Sequence, residues 1–256
     1  MKANWSVIPD YKDIDRYMSL CIEYDVAFEY NDFFWPRIYE DNEEVERRIS
    51  FYNSLGRDTC KDTLHGVFYD IAMLSMDTVI RERSRMLVEK SLEIAQRLSC
   101  KGAVFHTGRL SGLDTEEYNK SWLEGMDLYI HELADKHSDI EIYMENTFEK
   151  TPEPFVELMN RTKDLKNVKV CLDYAHSMLT STEGEVWFEK LSPYIGHFHL
   201  NDHDMVADLH LAVGDGKIDF EVFKLLIERY NLDSQILIEV NGYDKAKKSL
   251  EKLASL

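Results

Sequence analysis

The sequence has little of what marks a small cross-linked protein or a membrane protein. Its 256 residues include only four cysteines, Cys21, Cys60, Cys100 and Cys171, and no C-x-x-C pair. A structural zinc knuckle or a redox motif is therefore not expected, and the thiols are expected to be free. Apolar runs stay far below the ~20 residues needed to cross a bilayer, and no apolar signal segment follows the polar start. We expect a cytoplasmic protein without membrane association.

Positive charge is also scarce. The chain has 30 lysines and arginines against 48 aspartates and glutamates, a formal net charge of −18. Such a charge repels polyanions at long range, and nucleic-acid affinity depends mainly on lysine and arginine meeting phosphates. DNA is therefore disfavoured as a partner, although a metal-lined pocket can be locally positive on an acidic protein.

Motifs for dinucleotide or nucleotide binding are missing. Neither G-x-G-x-x-G nor a Walker sequence is present, so a Rossmann fold and a P-loop are both disfavoured. We find no internal repeat, low-complexity tract or Gly/Ser/Pro-rich linker, and residues 1–256 are expected to form one domain.

What the sequence does contain is an alternation of short β-like runs with longer stretches of helical period. The expected strands are 5–9, 26–30, 62–65, 102–106, 140–145, 168–173, 194–200 and 236–240, and expected helices include 77–98, 115–136, 154–163 and 220–230. Eight consecutive βα units predict a single (β/α)8 TIM barrel. Asp219 is expected to cap the last of these helices, and Asp114 with Glu117 predicts a capping box before residue 115.

Polar side chains gather at the carboxyl ends of the expected strands. Barrel strands alternate inward and outward residues, and this alternation turns one set of imidazoles and carboxylates inward at the strand ends. The set is His65, His106, Glu145, Asp173, His199 and Glu239. Mixed histidine and carboxylate ligands favour zinc, with manganese, iron or magnesium as alternatives. The sequence thus predicts a divalent metal site.

The motifs around these residues resemble those of the xylose-isomerase-like TIM barrels, which include endonuclease IV and many sugar and sugar-phosphate isomerases and epimerases. The motifs are Leu64-His65-Gly66, Phe105-His106-Thr107-Gly108, Met144-Glu145-Asn146, Leu172-Asp173-Tyr174-Ala175-His176, His199-Leu200-Asn201-Asp202, Asp208-Leu209-His210, Gly214-Asp215-Gly216 and Ile238-Glu239. The resemblance implies the complete three-metal set of the endonuclease IV branch.

By that resemblance, His65 and His106 would hold one ion, and Glu145 would bridge it to a second. Asp173, His199 and Glu239 would complete the second site. His176, Asp208 and His210 would hold the third ion. The isomerase branch resembles only a part of this set: one ion on Glu145, Asp173, His199 and Glu239, with His176 touching the substrate. Glu145 and Glu239 would then act as an acid/base pair.

Formal charge separates these two hypotheses. Three divalent ions against four ligand carboxylates leave the mouth with about +2, which attracts phosphate, whereas one ion leaves about −2. We therefore expect phosphoester hydrolysis of a sugar-phosphate-like or other small phosphoester substrate, with a one-metal sugar or sugar-phosphate isomerase or epimerase as the alternative. A sugar-binding barrel without turnover is a third hypothesis. The chain lacks the basic insertion expected of a DNA-cleaving relative. The sequence gives no indication of the oligomeric state.

Five further residues are candidates for substrate binding: Glu29, Arg109, His203, Gly214 and Gly216. The two glycines precede a helix, where barrels often bind phosphate, although a plain turn explains them equally well. Phe33, Phe34, Trp35 and Tyr69 are candidates for an aromatic wall over a sugar face.

Overall fold

Eight parallel strands close into a barrel in the order of the chain. The computed structural model describes residues 4–110, 112–147 and 149–256. The strands are β1 (Asn4–Val7), β2 (Ala27–Tyr30), β3 (Thr63–His65), β4 (Gly102–His106), β5 (Glu141–Glu145), β6 (Val168–Asp173), β7 (Ile195–Leu200) and β8 (Gln235–Ile238). Parallel pairing of β8 with β1 completes the closure. The predicted TIM barrel is confirmed.

Helices connect successive strands along the outside of the barrel. They are α1 (Ile14–Tyr24), α2 (Pro36–Tyr39), α3 (Asn42–Ser54), α4 (Thr78–Arg97), α5 (Glu116–Lys136), α6 (Glu153–Arg161), α7 (Tyr174–Met178), α8 (Gly184–Leu191), α9 (Phe220–Arg229) and α10 (Tyr243–Ala254). No helix within the described ranges is long and apolar enough to cross a membrane.

The apolar residues form two layers, as strand alternation requires. Outward residues such as Ile142 and Val170 pack in the large core between barrel and helices. Inside the barrel, Val104, Tyr143 and Cys171 form a small separate cluster. Burying one large apolar side chain contributes about 1.5–3 kcal/mol, so the outer layer supplies most of the stability. The inner layer lies directly below the polar residues at the mouth of the barrel.

Two of the strand boundaries that differ from the sequence prediction have a polar residue just outside the strand. Strand β8 ends at Ile238, one residue before Glu239, whose N–H still donates to the Leu200 carbonyl at 2.7 Å. Asp62 lies before β3 instead of within it. Its buried carboxylate accepts from the Phe28 N–H at 2.9 Å and from the Tyr30 hydroxyl at 2.7 Å.

One of the two predicted helix caps is correct. Asp219 accepts the Glu221 N–H at 3.0 Å and begins α9. The predicted capping box at Asp114 is wrong, because Thr115 caps α5 by accepting the Tyr118 N–H at 3.2 Å. Asp114 instead pairs with the guanidinium of Arg109 at 3.3 Å.

Candidate metal centre

A cavity of about 1010 Å³ opens at the carboxyl ends of the strands. Most of the predicted metal ligands line it: His65, His106, Glu145, His176, Asp208, His210 and Glu239. Asp173 and His199 are fully buried beneath its floor. All nine candidates therefore lie at one end of the barrel, on six different strand ends or the segments that follow them.

The carboxylate of Glu145 lies at the centre of this group. Its Oε2 is 3.3 Å from Nε2 of His65 and 3.5 Å from Nε2 of His106. Its Oε1 is 3.3 Å from Nδ1 of His199, which is in turn 3.6 Å from Oε2 of Glu239. One carboxylate thus faces two imidazoles with one oxygen and a third imidazole with the other, an arrangement consistent with the predicted bridging role.

A second group lies beside the first, nearer to solvent. Oδ2 of Asp208 is 2.8 Å from Nε2 of His210 and 3.3 Å from Nε2 of His176. The ligand atoms of these three residues all lie within 4.8 Å of one another. His176 joins the two groups, since its Nδ1 is 3.3 Å from Oδ2 of Asp173.

Four buried polar atoms at the centre have no hydrogen-bond partner among the described residues. They are Glu145 Oε2, Asp173 Oδ2, His199 Nδ1 and Glu239 Oε2. Buried oxygens and imidazole nitrogens without partners are costly, and divalent cations satisfy these donor types. The residues therefore fit a metal centre on the chemistry of their donor atoms.

The pKa values at the mouth reflect the crowding of acids and imidazoles. Burial raises the pKa of Asp173 to about 7, with Glu239 and Glu145 adding to the rise. Burial lowers the pKa of His210, but Asp208 and Glu239 outweigh it and raise that pKa to about 10. The pKa of Asp208 is held well below its ordinary range, because His176 and His210 outweigh its burial. Protons and divalent ions would thus compete for the same atoms.

Asn146 aligns two of these ligands, a role that the sequence analysis missed. Its amide exchanges two hydrogen bonds with the backbone of Asp173, at 2.8 and 2.9 Å. Its carbonyl accepts from Nδ1 of His176 at 2.8 Å. Asp173 Oδ1 also accepts the His176 N–H at 2.7 Å, which leaves Oδ2 free. An asparagine directly after the predicted ligand Glu145 was the available signal.

The loop that carries Asp208 and His210 is tied to one buried carboxylate. Asp202 accepts the N–H groups of Gly214 and Gly216, both at 2.9 Å, and of Ile218 at 3.1 Å. The amides of Gly214 and Gly216 therefore already have an acceptor in Asp202, and the predicted phosphate binding by these glycines has no support from the structure. Asp202 also holds the loop near the ligand His210, because its backbone exchanges hydrogen bonds with Leu211 at 2.9 and 3.0 Å.

Replacing Gly216 with alanine should test this tie. The added Cβ would overlap the Asp202 carboxylate and the His203 backbone. We expect the substitution to lower the free energy of unfolding by about 1–3 kcal/mol, measured by urea denaturation. Gly125→Ala is the matched control, because its Cβ would meet only the flexible Leu74 side chain inside α5. Equal stability of the two variants would contradict the proposed role of Asp202.

The other three predicted substrate-binding residues do not line the cavity. Arg109 is buried against the Trp122 ring, 4.8 Å from its centroid, and donates to Asn119 at 2.7 Å. His203 is buried, with Nε2 2.8 Å from the Ala175 carbonyl and Nδ1 accepting the Met205 N–H at 3.0 Å. Glu29 is fully buried below the mouth. The structure therefore does not bring these three residues to the cavity wall, and their contacts with substrate stay predictions.

An aromatic wall stands on the β2 and β3 side of the cavity. Phe34, Trp35, Phe68 and Tyr69 line it, with the Trp35 and Tyr69 rings 5.3 Å apart and each of these two residues 40% exposed. Phe68 stacks on His106 at 4.9 Å. Phe33 was expected in this wall, but it is buried and packs near Tyr52 instead.

Fold and site together define a (β/α)8 barrel with a mouth suited to metal binding. The family model for xylose isomerase-like TIM barrels matches residues 21–256, and the chain belongs to this family. An uncharacterized protein of Methanocaldococcus jannaschii is 28% identical over 202 residues, which cover 77% of this chain and 77% of that protein.

Two solved structures show the same fold at lower identity. A D-tagatose 3-epimerase-like protein superposes with a TM-score of 0.78 at 22% identity, covering 98% of this chain and 96% of the other. Endonuclease IV from Thermus thermophilus gives a TM-score of 0.67 at 20% identity, covering 98% of each chain. The fold is therefore common to an epimerase-like protein and to a nuclease.

Proposed function

We propose that the protein is a metal-dependent hydrolase of small phosphoesters. The observation that carries this proposal is the group of His176, Asp208 and His210 beside the group centred on Glu145. A centre with one ion would need only Glu145, Asp173, His199 and Glu239, whereas three ions would use all nine residues. Zinc suits these ligand types best, and manganese, iron and magnesium are alternatives.

The nine residues would hold the three ions in three sets, of which the first two share Glu145. His65, His106 and Glu145 would hold the first; Glu145, Asp173, His199 and Glu239 the second; His176, Asp208 and His210 the third. When bound, such ions supply Lewis-acid chemistry: they stabilise charge on phosphoryl and leaving oxygens and lower the pKa of water. Under this proposal Glu145, Glu239 and His176 are ligands that contact the reacting centre, not free acids or bases.

Charge favours three ions over one for a phosphorylated substrate. Counting the buried Glu29 with the four ligand carboxylates, three divalent ions leave about +1 and one ion leaves about −3. Lys150 is the only lysine or arginine among the described residues lining the cavity. A single phosphate therefore finds positive charge only at the ions and at Lys150.

The rest of the mouth favours a small substrate with a ring. The aromatic wall offers a flat surface beside the ligands, and Asp10 and Glu149 add negative charge to the rim, whereas the charge of Asp32 is compensated by Arg48 at 2.9 Å. These acids disfavour a polyanion such as DNA. The proposed substrate is therefore a small phosphoester with a sugar or similar ring, whose apolar face packs on Trp35.

Trp35→Ala should weaken binding more than it slows the reaction. Losing the exposed ring removes contacts made in both the ground state and the transition state, so KM should rise roughly 3- to 10-fold with kcat little changed. Steady-state kinetics measure this. Ile22→Ala, an exposed apolar residue on α1, is the control. A fall in kcat at constant KM would contradict the packing role.

A one-metal sugar epimerase is the second candidate. Glu145 and Glu239 both lie near the same His199 nitrogen, at 3.3 and 3.6 Å, and both line the cavity, so the two carboxylates of the acid/base pair are within reach of one bound sugar. The acidic rim also suits an uncharged sugar. The resemblance to a D-tagatose 3-epimerase-like structure supports this candidate as a fold-level analogy.

Metal counting combined with activity separates the candidates. We expect elemental analysis of the native protein to give near three ions per chain, together with hydrolysis of a panel of sugar phosphates. Near one ion per chain, with epimerisation of free ketoses, would support the second candidate instead. No bound ion and no turnover would favour a sugar-binding barrel and overturn both enzymatic proposals.

A further inference from the structure

Three of the imidazoles at the mouth are oriented in the same way. In each, Nδ1 lies at hydrogen-bond distance from a backbone carbonyl, and Nε2 faces a carboxylate of the site. The pairs are His65 with Gly66 at 2.9 Å, His176 with Asn146 at 2.8 Å, and His210 with Glu239 at 2.9 Å. A carbonyl can only accept, so Nδ1 carries the hydrogen and Nε2 is available to a metal.

His199 has the opposite orientation. Its Nδ1 faces Glu145 and Glu239, and it is one of the buried atoms that lack a hydrogen-bond partner among the described residues. Its Nε2 points down into the barrel, 3.1 Å from Oε1 of Glu29. This contact is short but not aligned as a hydrogen bond, so neither atom has a hydrogen-bond partner among the described residues. Glu29 takes the place that a carbonyl takes for the other three imidazoles.

Glu29 is itself held from two sides. The Thr63 hydroxyl donates to Oε2 at 2.7 Å, and Nε2 of His197 lies 2.9 Å from the same oxygen. The residue is fully buried, and so are both of its partners. The second oxygen, Oε1, is therefore fixed in front of His199.

We propose that Glu29 is a positioning residue that sets the tautomer of His199. A carboxylate can only accept, so His199 keeps its hydrogen on Nε2 and presents the Nδ1 lone pair to a divalent ion at the mouth. Glu29 touches neither substrate nor ion. The proposal rests on the metal site and not on the reaction, so it holds for a hydrolase and for an epimerase alike.

Glu29→Gln is the sharpest test, because the amide has nearly the same shape. With its oxygen held by Thr63, the amide turns its NH₂ towards His199, which favours the tautomer with hydrogen on Nδ1 and blocks that nitrogen. We expect zinc affinity to fall roughly 10- to 100-fold in competition titrations with a chromophoric chelator. Long-range ¹H–¹⁵N imidazole spectra of the zinc-loaded wild type should show His199 protonated at Nε2, and the variant should lose this signal. A His199→Asn spectrum provides the assignment.

Tyr143→Phe is the matched control for a buried polar change inside the barrel. Its ring is 5.2 Å from His197, but its hydroxyl bonds to Glu141 and not to Glu29. This control should bind zinc as the wild type does. Thr63→Val, which removes the donor to Glu29, should weaken zinc binding in the same direction and by less.

Wild-type zinc affinity in folded Glu29→Gln, with the His199 tautomer unchanged, would overturn the proposal. If that variant does not fold, unchanged affinity in Thr63→Val would overturn it instead. A protein that shows the expected tautomer and affinities but hydrolyses no phosphoester would refute the proposed function and leave the role of Glu29 intact.

Discussion

The proposed hydrolysis of a small phosphoester is expected to fall roughly 10²- to 10³-fold in His210→Ala and, separately, in His65→Ala, measured as kcat/KM. His210 belongs to the outer group with His176 and Asp208, and His65 to the inner group beside Glu145. Each substitution removes a ligand that only the three-ion hypothesis needs. The loss is large because an ion that stabilises charge in the transition state would be displaced or lost from its site.

The control is His131→Ala, a histidine on α5 whose Nδ1 lies 3.1 Å from Asp127. It reproduces the same chemical change far from the mouth and should leave kcat/KM unchanged. Ion content should fall with activity in the two site variants. Retained hydrolysis in both would refute the three-ion mechanism. Loss of one ion without loss of an epimerase activity would favour the one-metal alternative.

Strand alternation was enough to predict which residues face the mouth. Glu145 and Asp173 end strands whose apolar neighbours Met144 and Leu172 pack outward, and this pattern can be read in the sequence. The predicted ligands lie together because parallel strands bring all of their carboxyl ends to one side. The outer group could be predicted only from resemblance, since Asp208 and His210 lie in a loop.

Depth within the barrel could not be predicted from alternation. Glu29 faces inward as expected, but it pairs with Thr63, two residues before His65, and so lies one layer below the mouth. This stagger depends on how the closed sheet tilts, which a single strand does not encode. The hydrogen bonds of Gly214 and Gly216 to Asp202 could not be predicted for a different reason: Asp202 is at least twelve residues away in the chain, and strand alternation gives no contacts within a loop.

Supplying divalent metal is expected to raise the free energy of unfolding by several kcal/mol relative to chelator-treated protein. A ligand at about 1,000 times its Kd stabilises the folded state by about 4 kcal/mol per site, provided that the unfolded chain does not bind it. The carboxylates of Glu145, Asp173 and Glu239 are buried, and bound cations would offset the cost of burying their negative charge. Urea denaturation with zinc or with chelator measures the difference.

The stabilisation by zinc should grow as the pH rises from 6 to 8. Without ions, the raised pKa of His210, about 10, contributes stability that is present below about 6.5 and lost as the pH rises towards 10. The raised pKa of Asp173, about 7, also makes the ion-free protein less stable as the pH rises, because Asp173 loses its proton as the pH passes about 7. Zinc needs both groups deprotonated, so binding releases protons and strengthens as the pH rises.

Calorimetric titrations with zinc in two buffers of different ionisation enthalpy would count the protons released at pH 7. We expect at least one per chain in the wild type, because His210 is protonated at that pH and must lose its proton to become a ligand. His210→Ala should release fewer, and His131→Ala should match the wild type. A stabilisation by zinc that is equal or greater at pH 6, with no proton release, would show that ions do not bind at these imidazoles and would remove the basis for the proposed centre.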